Sequence, residues 1–331
     1  MSDTFNAYVI DRDADTKEQS RGWTTLSNDD LMEGDVTLRV RHTTMNYKDA
    51  LAITGKSPVV RRFPMVPGID IAGEVTASDS PRFAVGDAVI LNGWGVGETH
   101  MGGYAPVARV KSDWLLHQPQ GLSGADCMAV GTAGYTAALC VLRLQDLGVT
   151  PEDGPILVTG ASGGVGSFAV SLLAALGYSV AASTGRMEEE AYLRALGASE
   201  VVDRNTLSER GRPLDKEIYA GAIDSVGSQT LANVLSKVRY GGTVAACGLA
   251  QGPDLPATVM PFILRGVTLA GVDSVMAPLP LRERAWDLVS RTLDRDALAR
   301  ITQEAPLSEV EALAPKLLDG QIRGRLLIKV D

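Results

Sequence analysis

Over roughly the first third of the chain, apolar residues come in short clusters separated by turn formers. Residues 7–10, 36–40 and 88–91 read as strands. Between them stand Glu33-Gly34-Asp35, Pro67-Gly68 and Val85-Gly86-Asp87, residue types that turns require. The texture changes near residue 128. A helix over 134–147 leads to a strand at 156–159, a Gly-rich turn, a helix over 165–176 and a strand at 179–182. Another helix, 188–196, precedes apolar runs at 200–202, 221–224 and 242–247. Short apolar strands alternating with helices predict a parallel sheet covered on both faces. Helices over 281–293 and 310–318 then lead to a last strand at 325–330. That strand suits the β-rich first third better than the parallel sheet. The fold class expected is α/β: a doubly wound parallel sheet at 128–272, and a β-rich body built from both chain ends, 1–127 and 273–331.

Composition narrows the field. Hydrophobic residues make up 45% and charged residues 21%, ordinary for a globular protein. The formal net charge of −9 lacks the basic footprint of a nucleic-acid binder, so no nucleic-acid partner is expected. An anionic small ligand stays compatible, because a few arginines in one place suffice. Cys127, Cys140 and Cys247 are far apart, lie in apolar runs and form no C-x-x-C pair. They read as buried free thiols in a reducing compartment. Segment 1–15 is polar and acidic without signal-peptide character, and apolar runs such as 168–176 are too short to span a bilayer. The expectation is a cytoplasmic protein with no membrane partner.

One motif carries most of the chemistry. Ile156-Leu157-Val158-Thr159-Gly160-Ala161-Ser162-Gly163-Gly164-Val165-Gly166 lies between a predicted strand and a predicted helix. It matches the dinucleotide fingerprint of Rossmann folds, with Ala161, Gly163 and Gly166 at the three glycine positions. On this reading Ala161 allows the tight turn, Gly163 lets the backbone approach a pyrophosphate, and Gly166 lets the helix pack on the strand. Ala161, Ser162, Gly163, Gly164 and Val165 would hold the pyrophosphate, since free N–H groups and the dipole at a helix N-terminus favour negative charge. A Gly-rich turn alone says little; the surrounding βαβ pattern gives it weight. An NAD site places an acid at the end of the next strand for the ribose 2′-hydroxyl. Here that strand ends in Ser183, Thr184, Gly185 and Arg186, which suit a 2′-phosphate. Arg204, after the third strand, is a second cation; a solvated surface charge is the competing reading of each arginine. NADPH is therefore the expected cofactor. His42, His100 and His117 are isolated, and a catalytic zinc needs three protein ligands, so no metal is expected.

Four segments resemble the medium-chain dehydrogenase/reductase superfamily: Asn46-Tyr47-Lys48-Asp49-Ala50, residues 67–75 (PGIDIAGEV), 85–89 (VGDAV) and 131–137 (GTAGYTA). The resemblance covers nearly the whole chain. Zinc-bearing alcohol dehydrogenases of that superfamily have a Cys and a His-Glu pair in the first two regions. Tyr47 and Ile69-Asp70 stand there instead, so the chain is similar to the zinc-independent, quinone-reductase-like branch. Segments 46–54, 91–98, 245–250 and 259–274 further resemble the acrylyl-CoA reductase family, which reduces acryloyl-CoA to propanoyl-CoA with NADPH, including in dimethylsulfoniopropionate breakdown. The resemblance implies a GroES-like β-rich body, a CoA thioester substrate and a cytoplasmic homo-oligomer. It implies Tyr47 near the nicotinamide, Ser162 to Val165 on the pyrophosphate, and Ser183 to Gly185 with Arg204 on the adenosine phosphate. Leu249, Ile263 and Ser274 would line the nicotinamide side. Asp319 is carried over as a cofactor contact, although a neutral amide is what that edge calls for.

Conjugate reduction needs a hydride at the β-carbon, donors for the enolate oxygen and a proton for the α-carbon. Tyr47 is the first catalytic candidate, while Lys48 and Asp49 read equally well as turn-capping groups. CoA phosphates call for a basic mouth, for which Lys56, Arg61 and Arg62, and Arg323 and Arg325 around Gly324, are available. Lys56 and Arg323 are the candidates chosen from it; an ordinary solvated cluster is the competing reading. The alternatives for the whole chain are a general quinone or enone reductase and a non-catalytic cofactor-binding protein. Residues 267–272 read as a strand; in relatives of this architecture such a strand lies at the sheet edge and pairs across a two-fold axis, so the resemblance implies a homodimer.

Overall fold

The computed structural model describes residues 4–330; residues 1–3 and 331, which fall inside the sequence-based domain bounds, lie outside the described residues. The chain forms two compact units, Met1–Thr132 with Thr302–Asp331, and Ala133–Ile301.

The first unit opens with β1 (Thr4–Arg12) and β2 (Gln19–Ser27), an antiparallel hairpin. There follow β3 (Val36–Met45), α1 (Tyr47–Thr54), β4 (Asp70–Ser78), β5 (Ala88–Asn92), β6 (Val107–Val110) and β7 (Leu116–His117). Helix α2 (Gly124–Asp146) begins in this unit and is interrupted at Gly131, with φ 52 and ψ −162. The second unit continues with β8 (Ile156–Val158), α3 (Gly164–Ala175), β9 (Val180–Thr184), α4 (Glu190–Ala195), β10 (Glu200–Asp203) and α5 (Asn205–Ser208). After these come β11 (Tyr219–Asp224), α6 (Ser228–Lys237), β12 (Val238–Ala246), α7 (Met260–Arg265), β13 (Thr268–Gly271), α8 (Leu279–Thr292) and α9 (Arg295–Ile301). The chain returns to the first unit as β14 (Thr302–Pro306), α10 (Val310–Leu318) and β15 (Arg325–Lys329).

In the second unit the sheet order is β10-β9-β8-β11-β12-β13, all parallel. Counted within the sheet this is 3-2-1-4-5-6, the doubly wound dinucleotide-binding order, whose switch point lies between β8 and β11. The central strands are buried throughout, and α3 buries Gly166 through Leu173. A strand or helix covered on every side reads as an unbroken apolar run, which is why 156–158 and 165–176 were visible in the sequence. In the first unit the main sheet runs β14-β15-β3-β4-β5-β7, with β6 paired to β3. The final strand sits inside this sheet, parallel to β14 and antiparallel to β3, and α10 packs on α1.

Two expectations need correction. The return to the β-rich body falls at residue 302, not 273, because α8 and α9 pack on α3 of the parallel sheet's own layer; the opening boundary falls at 132/133 rather than 127/128. Helix α2 is also long and apolar enough to cross a membrane by length and composition, against the expectation that no run was. Its apolar window is 89% buried inside the protein, as in a core helix. Cys127 and Cys140 are buried and all three cysteines are free thiols.

Candidate active site

In the second unit the turn after β8 is built for close approach. Gly160 takes φ +61, so the left-handed residue of the tight turn is Gly160 and not Ala161, as the fingerprint alone suggested. Ala161 is fully buried, and its N–H donates to Ser183 O at 3.0 Å. A Cβ on Gly166 would stand 2.5 Å from the Ala161 Cα, so only glycine lets α3 seat against the turn. Gly163 is exposed, and a Cβ there would meet only Gly160 O, at 3.2 Å. The backbone over Gly163 and Gly164 is thus open at the N-terminus of α3, where first-turn N–H groups lack helical partners.

At the end of β9 the polar groups divide. Ser183 and Thr184 are buried, and the Thr184 hydroxyl is engaged by Ser162 Oγ at 2.7 Å and by the Arg186 N–H at 3.0 Å. The hydroxyls of Ser162 and Thr184 therefore stitch the turn together rather than face outward, because both strands they follow lie inside the sheet. Arg186 Nη2 donates to Ser162 O at 3.1 Å. Arg204 is exposed, and a Cβ on Gly185 would overlap its guanidinium. No carboxylate occupies positions 183–186. Leu249 and Ile263 are exposed, at 64% and 72%, and Ser274 O accepts from Arg282 Nη2 at 3.3 Å.

In the first unit Tyr47 is the first residue of α1 and is 53% exposed. Directly behind it is a buried polar network. Asp49 accepts from the Asn46 N–H at 2.8 Å, from Asn46 Nδ2 at 3.2 Å and from the Ile69 N–H at 3.0 Å. Asn46 Nδ2 also donates to Asp70 Oδ2 at 2.8 Å, and Asn46 Oδ1 accepts from Arg325 Nη1 at 3.0 Å. Asp70 is completed by Asn92 Nδ2 at 2.6 Å, the Thr132 N–H at 2.8 Å and Thr132 Oγ1 at 2.5 Å. Arg325 Nη2 donates to Thr44 Oγ1 at 2.7 Å. Gly131 makes room for all this, since a Cβ there would stand 2.5 Å from Arg325 Nη2 and 2.9 Å from Asp70 Oδ2. Two buried carboxylates and one buried guanidinium meet through Asn46, and their opposite charges attract. Burial pushes the Asp49 carboxyl up to about 7; Asp70's charge adds to this, and hydrogen bonds from Asn46 and Ile69 oppose it.

Of the remaining candidates, Lys56 and Arg323 are at the surface. Lys48 pairs with Glu98 at 2.7 Å. Lys56 lies 3.8 Å from Asp319, both half-exposed at the adjoining ends of α1 and α10, so Asp319 is accounted for as a partner of Lys56. Arg323 is exposed, and Gly324 takes φ 66 beside it. Arg325, grouped with the basic mouth on sequence, instead points into the core at 4% exposure. Sequence reasoning missed Asn46, Asp70 and Arg325 as a unit, and Asp224 in the second unit. The available signal was an acid inside an apolar run, at Asp70 and again at Asp224. Among the described residues no three His, Cys, Asp or Glu side chains are grouped as a metal site.

A doubly wound sheet with an open phosphate turn, in a chain whose two ends form a separate β-rich unit, is the architecture of a nucleotide-dependent dehydrogenase or reductase. Comparison with known proteins sharpens this. The alcohol dehydrogenase GroES-like domain family matches residues 32–120, and the zinc-binding dehydrogenase family matches 164–291. The probable acrylyl-CoA reductase AcuI of Escherichia coli K12 is 55% identical over 93% of this chain and 94% of its own. The acrylyl-CoA reductase AcuI of Ruegeria pomeroyi is 50% identical over 99% of both chains. The yhdH oxidoreductase of Salmonella enterica, solved in complex with NADP, superposes with a TM-score of 0.95 at 49% identity, covering 98% of this chain and 100% of its own. The chain belongs to the acrylyl-CoA reductase family, in the quinone-oxidoreductase-like branch of the medium-chain dehydrogenases/reductases.

Proposed function

We propose that this chain is a cytoplasmic, NADPH-dependent reductase that converts acrylyl-CoA to propanoyl-CoA. The carrying observation is the end of β9, where no acid stands for a ribose 2′-hydroxyl and the Arg204 guanidinium lies against Gly185. Full-length likeness to the acrylyl-CoA reductases supports the substrate class.

The residues present fit the cofactor. The open backbone from Ala161 to Val165, at the start of α3, would hold the pyrophosphate. Gly185 and Arg204 would take the 2′-phosphate by charge-assisted hydrogen bonds. Arg186 and the Ser162–Thr184 pair hold the turn in shape, and Ser183 packs beneath it. Leu249, Ile263 and Ser274 are assigned to the nicotinamide side. The chemistry that NADPH supplies when bound is a hydride for the β-carbon of the alkene. Tyr47, an exposed phenol on a firmly capped helix, would donate to the thioester oxygen as negative charge builds on it; a preorganised donor stabilises that charge more than water does. Arg323 and Lys56 would meet the CoA phosphates. The Lys56–Asp319 pair is exposed and worth little, so it is readily exchanged for a phosphate.

We also infer a homodimer. β13 is the edge strand of the parallel sheet, and pairing with a second copy would satisfy its free N–H and C=O groups.

The test is turnover. Acrylyl-CoA added to protein and NADPH should consume NADPH and yield propanoyl-CoA. A simple quinone reduced in preference to acrylyl-CoA overturns the substrate reading. Cofactor binding without turnover of either makes the chain a non-catalytic binder.

A further inference from the structure

The second unit buries a carboxylate that the proposed chemistry does not use. Asp224 ends β11 and is fully buried. Thr159 Oγ1 donates to Asp224 Oδ1 at 2.7 Å, and the Gly227 N–H donates to Oδ2 at 2.8 Å. The Val226 N–H is a further donor, and burial still holds the carboxyl above its ordinary range. Thr159 ends the segment that leads into the phosphate turn, and its own hydroxyl accepts from the Ser225 N–H at 3.2 Å. Ser225 Oγ returns a bond to Thr159 O at 3.1 Å. On the other side the Cys247 N–H donates to Asp224 O at 2.8 Å, and the Gln251 N–H to Val226 O at 2.8 Å. The packing leaves no slack: a Cβ on Gly160 would lie 2.7 Å from Ser225 Oγ, and one on Gly227 would lie 2.6 Å from Gly252 O.

One carboxylate thus ties the carboxyl ends of β8 and β11, the neighbours at the switch point of the sheet, where such sheets bind ligands, and the backbone carbonyl of the same residue holds Cys247 at the end of β12. The carboxylate fixes the phosphate turn after β8 against the 225–227 turn, and that turn fixes the 247–251 loop carrying Leu249.

We propose that Asp224 is a positioning residue that locks the pyrophosphate turn to the nicotinamide-side loop, so that the two ends of the cofactor are held in one register. This rests on the NADPH reading above. Its physical basis is that a fully satisfied buried polar network has one low-energy arrangement.

Two substitutions test it. Asp224→Asn keeps the volume but turns an N–H₂ toward the Thr159, Val226 or Gly227 donors. Thr159→Val removes the shared hydroxyl at nearly constant shape. In each variant kcat with NADPH should fall roughly tenfold or more, and the primary isotope effect with NADPH deuterated at the transferring position should rise as hydride transfer becomes limiting. Affinity for adenosine 2′,5′-bisphosphate, which lacks the nicotinamide, should stay within about twofold of wild type. A merely structural role would lower the active fraction without raising the isotope effect, and that result overturns the proposal. So does a folded Thr159→Val protein with wild-type kcat, even if Asp224→Asn does not fold. Wild-type protein that fails to bind NADPH is a separate outcome, which removes the cofactor reading and this inference with it.

Discussion

Arg325 Nη1 donates to Asn46 Oδ1 at 3.0 Å across 279 residues of sequence, so the last strand grips the cap of the helix that carries Tyr47. The same amide passes the contact on to Asp70 and Asp49 through Nδ2. Removing the cation leaves two buried acids facing only dipoles. Breaking a buried ionic group by deleting one partner typically costs about 3–5 kcal/mol. Arg325→Met should lose stability on that scale, read as a lower urea midpoint with the slope unchanged. Arg325→Lys should recover only part, since an ammonium cannot reproduce the fork that reaches both Asn46 and Thr44. A Met variant as stable as wild type would show that the network does not secure the cap.

Asp49 adds a pH dependence whose sign is fixed. Its folded pKa, about 7, lies above the ordinary carboxylate value, so the folded chain holds this proton more tightly than the unfolded chain. Its contribution is fully present below the unfolded pKa of about 4 and is lost as pH rises through about 7. Asp49→Asn cannot ionise, so its stability deficit relative to wild type should shrink steadily across that window. The difference between the two proteins is the quantity to measure. His42 and His100, whose pKa values are lowered by burial, push the absolute stability the other way. A deficit independent of pH would mean that Asp49 keeps one charge state throughout.

The sequence made the parallel sheet legible and left the first unit half-hidden, for one physical reason. A strand such as β9, VAAST, is buried at every position and announces itself as an apolar run between helices. β2, QSRGWTTLS, has no buried position and so shows no alternation to read. The phosphate turn was legible because backbone approach demands glycine at fixed spacing. The polar network behind Tyr47 was not, because Asn46, Asp70 and Arg325 meet only through tertiary pairing of β3, β4 and β15, with Thr132 brought in from α2, and no local pattern encodes that meeting. For the same reason Arg325 passed for a twin of Arg323, two residues away, although one is buried and the other faces solvent.

Arg323 tests the substrate class. It is exposed beside a left-handed glycine, whereas Arg325 is buried in the core. If it takes a CoA phosphate, Arg323→Ala should lose a charge-assisted contact worth about 1.5–3 kcal/mol, roughly tenfold to a hundredfold in kcat/KM for acrylyl-CoA. A small enone lacking CoA should be nearly indifferent, and NADPH affinity should hold. Equal losses on both substrates would assign the residue to the reacting carbonyl or to structure.

The edge strand β13 sets the assembly expectation. It runs Thr268–Gly271, with Thr268 and Gly271 exposed. The open outer edge of such a strand is a liability unless covered. Light scattering at micromolar concentration should report a dimer or larger. A proline at Leu269, whose N–H faces the open edge because that of Val272 donates back to Ala246 O of β12, removes an outward backbone donor and should shift the protein toward monomer if the strand pairs with a second copy. A monomeric wild type would end the proposal.

The two arginines flanking Gly185 should separate cleanly, because their side chains do different things. Arg204 lies exposed against Gly185, where a 2′-phosphate would sit. Arg186 reaches back to the carbonyl of Ser162 within the phosphate turn. Losing Arg204 removes a cation that only the phosphorylated cofactor uses. Arg204→Ala should therefore cost about 1.5–3 kcal/mol with NADPH, roughly tenfold or more in kcat/KM, and leave NADH within about twofold. Losing Arg186 loosens the turn beneath the pyrophosphate, which both cofactors share, so Arg186→Ala should weaken NADPH and NADH together. The measurement is steady-state kcat/KM for each cofactor in the two variants and the wild type, at one ionic strength because exposed charge contacts are screened by salt. If Arg186→Ala changes the NADPH to NADH ratio and Arg204→Ala does not, the phosphate contact belongs to Arg186 and the turn survives without its bond to Ser162. If the wild type shows equal kcat/KM for both cofactors, neither arginine selects the phosphate, and the missing acid at the end of β9 needs another explanation.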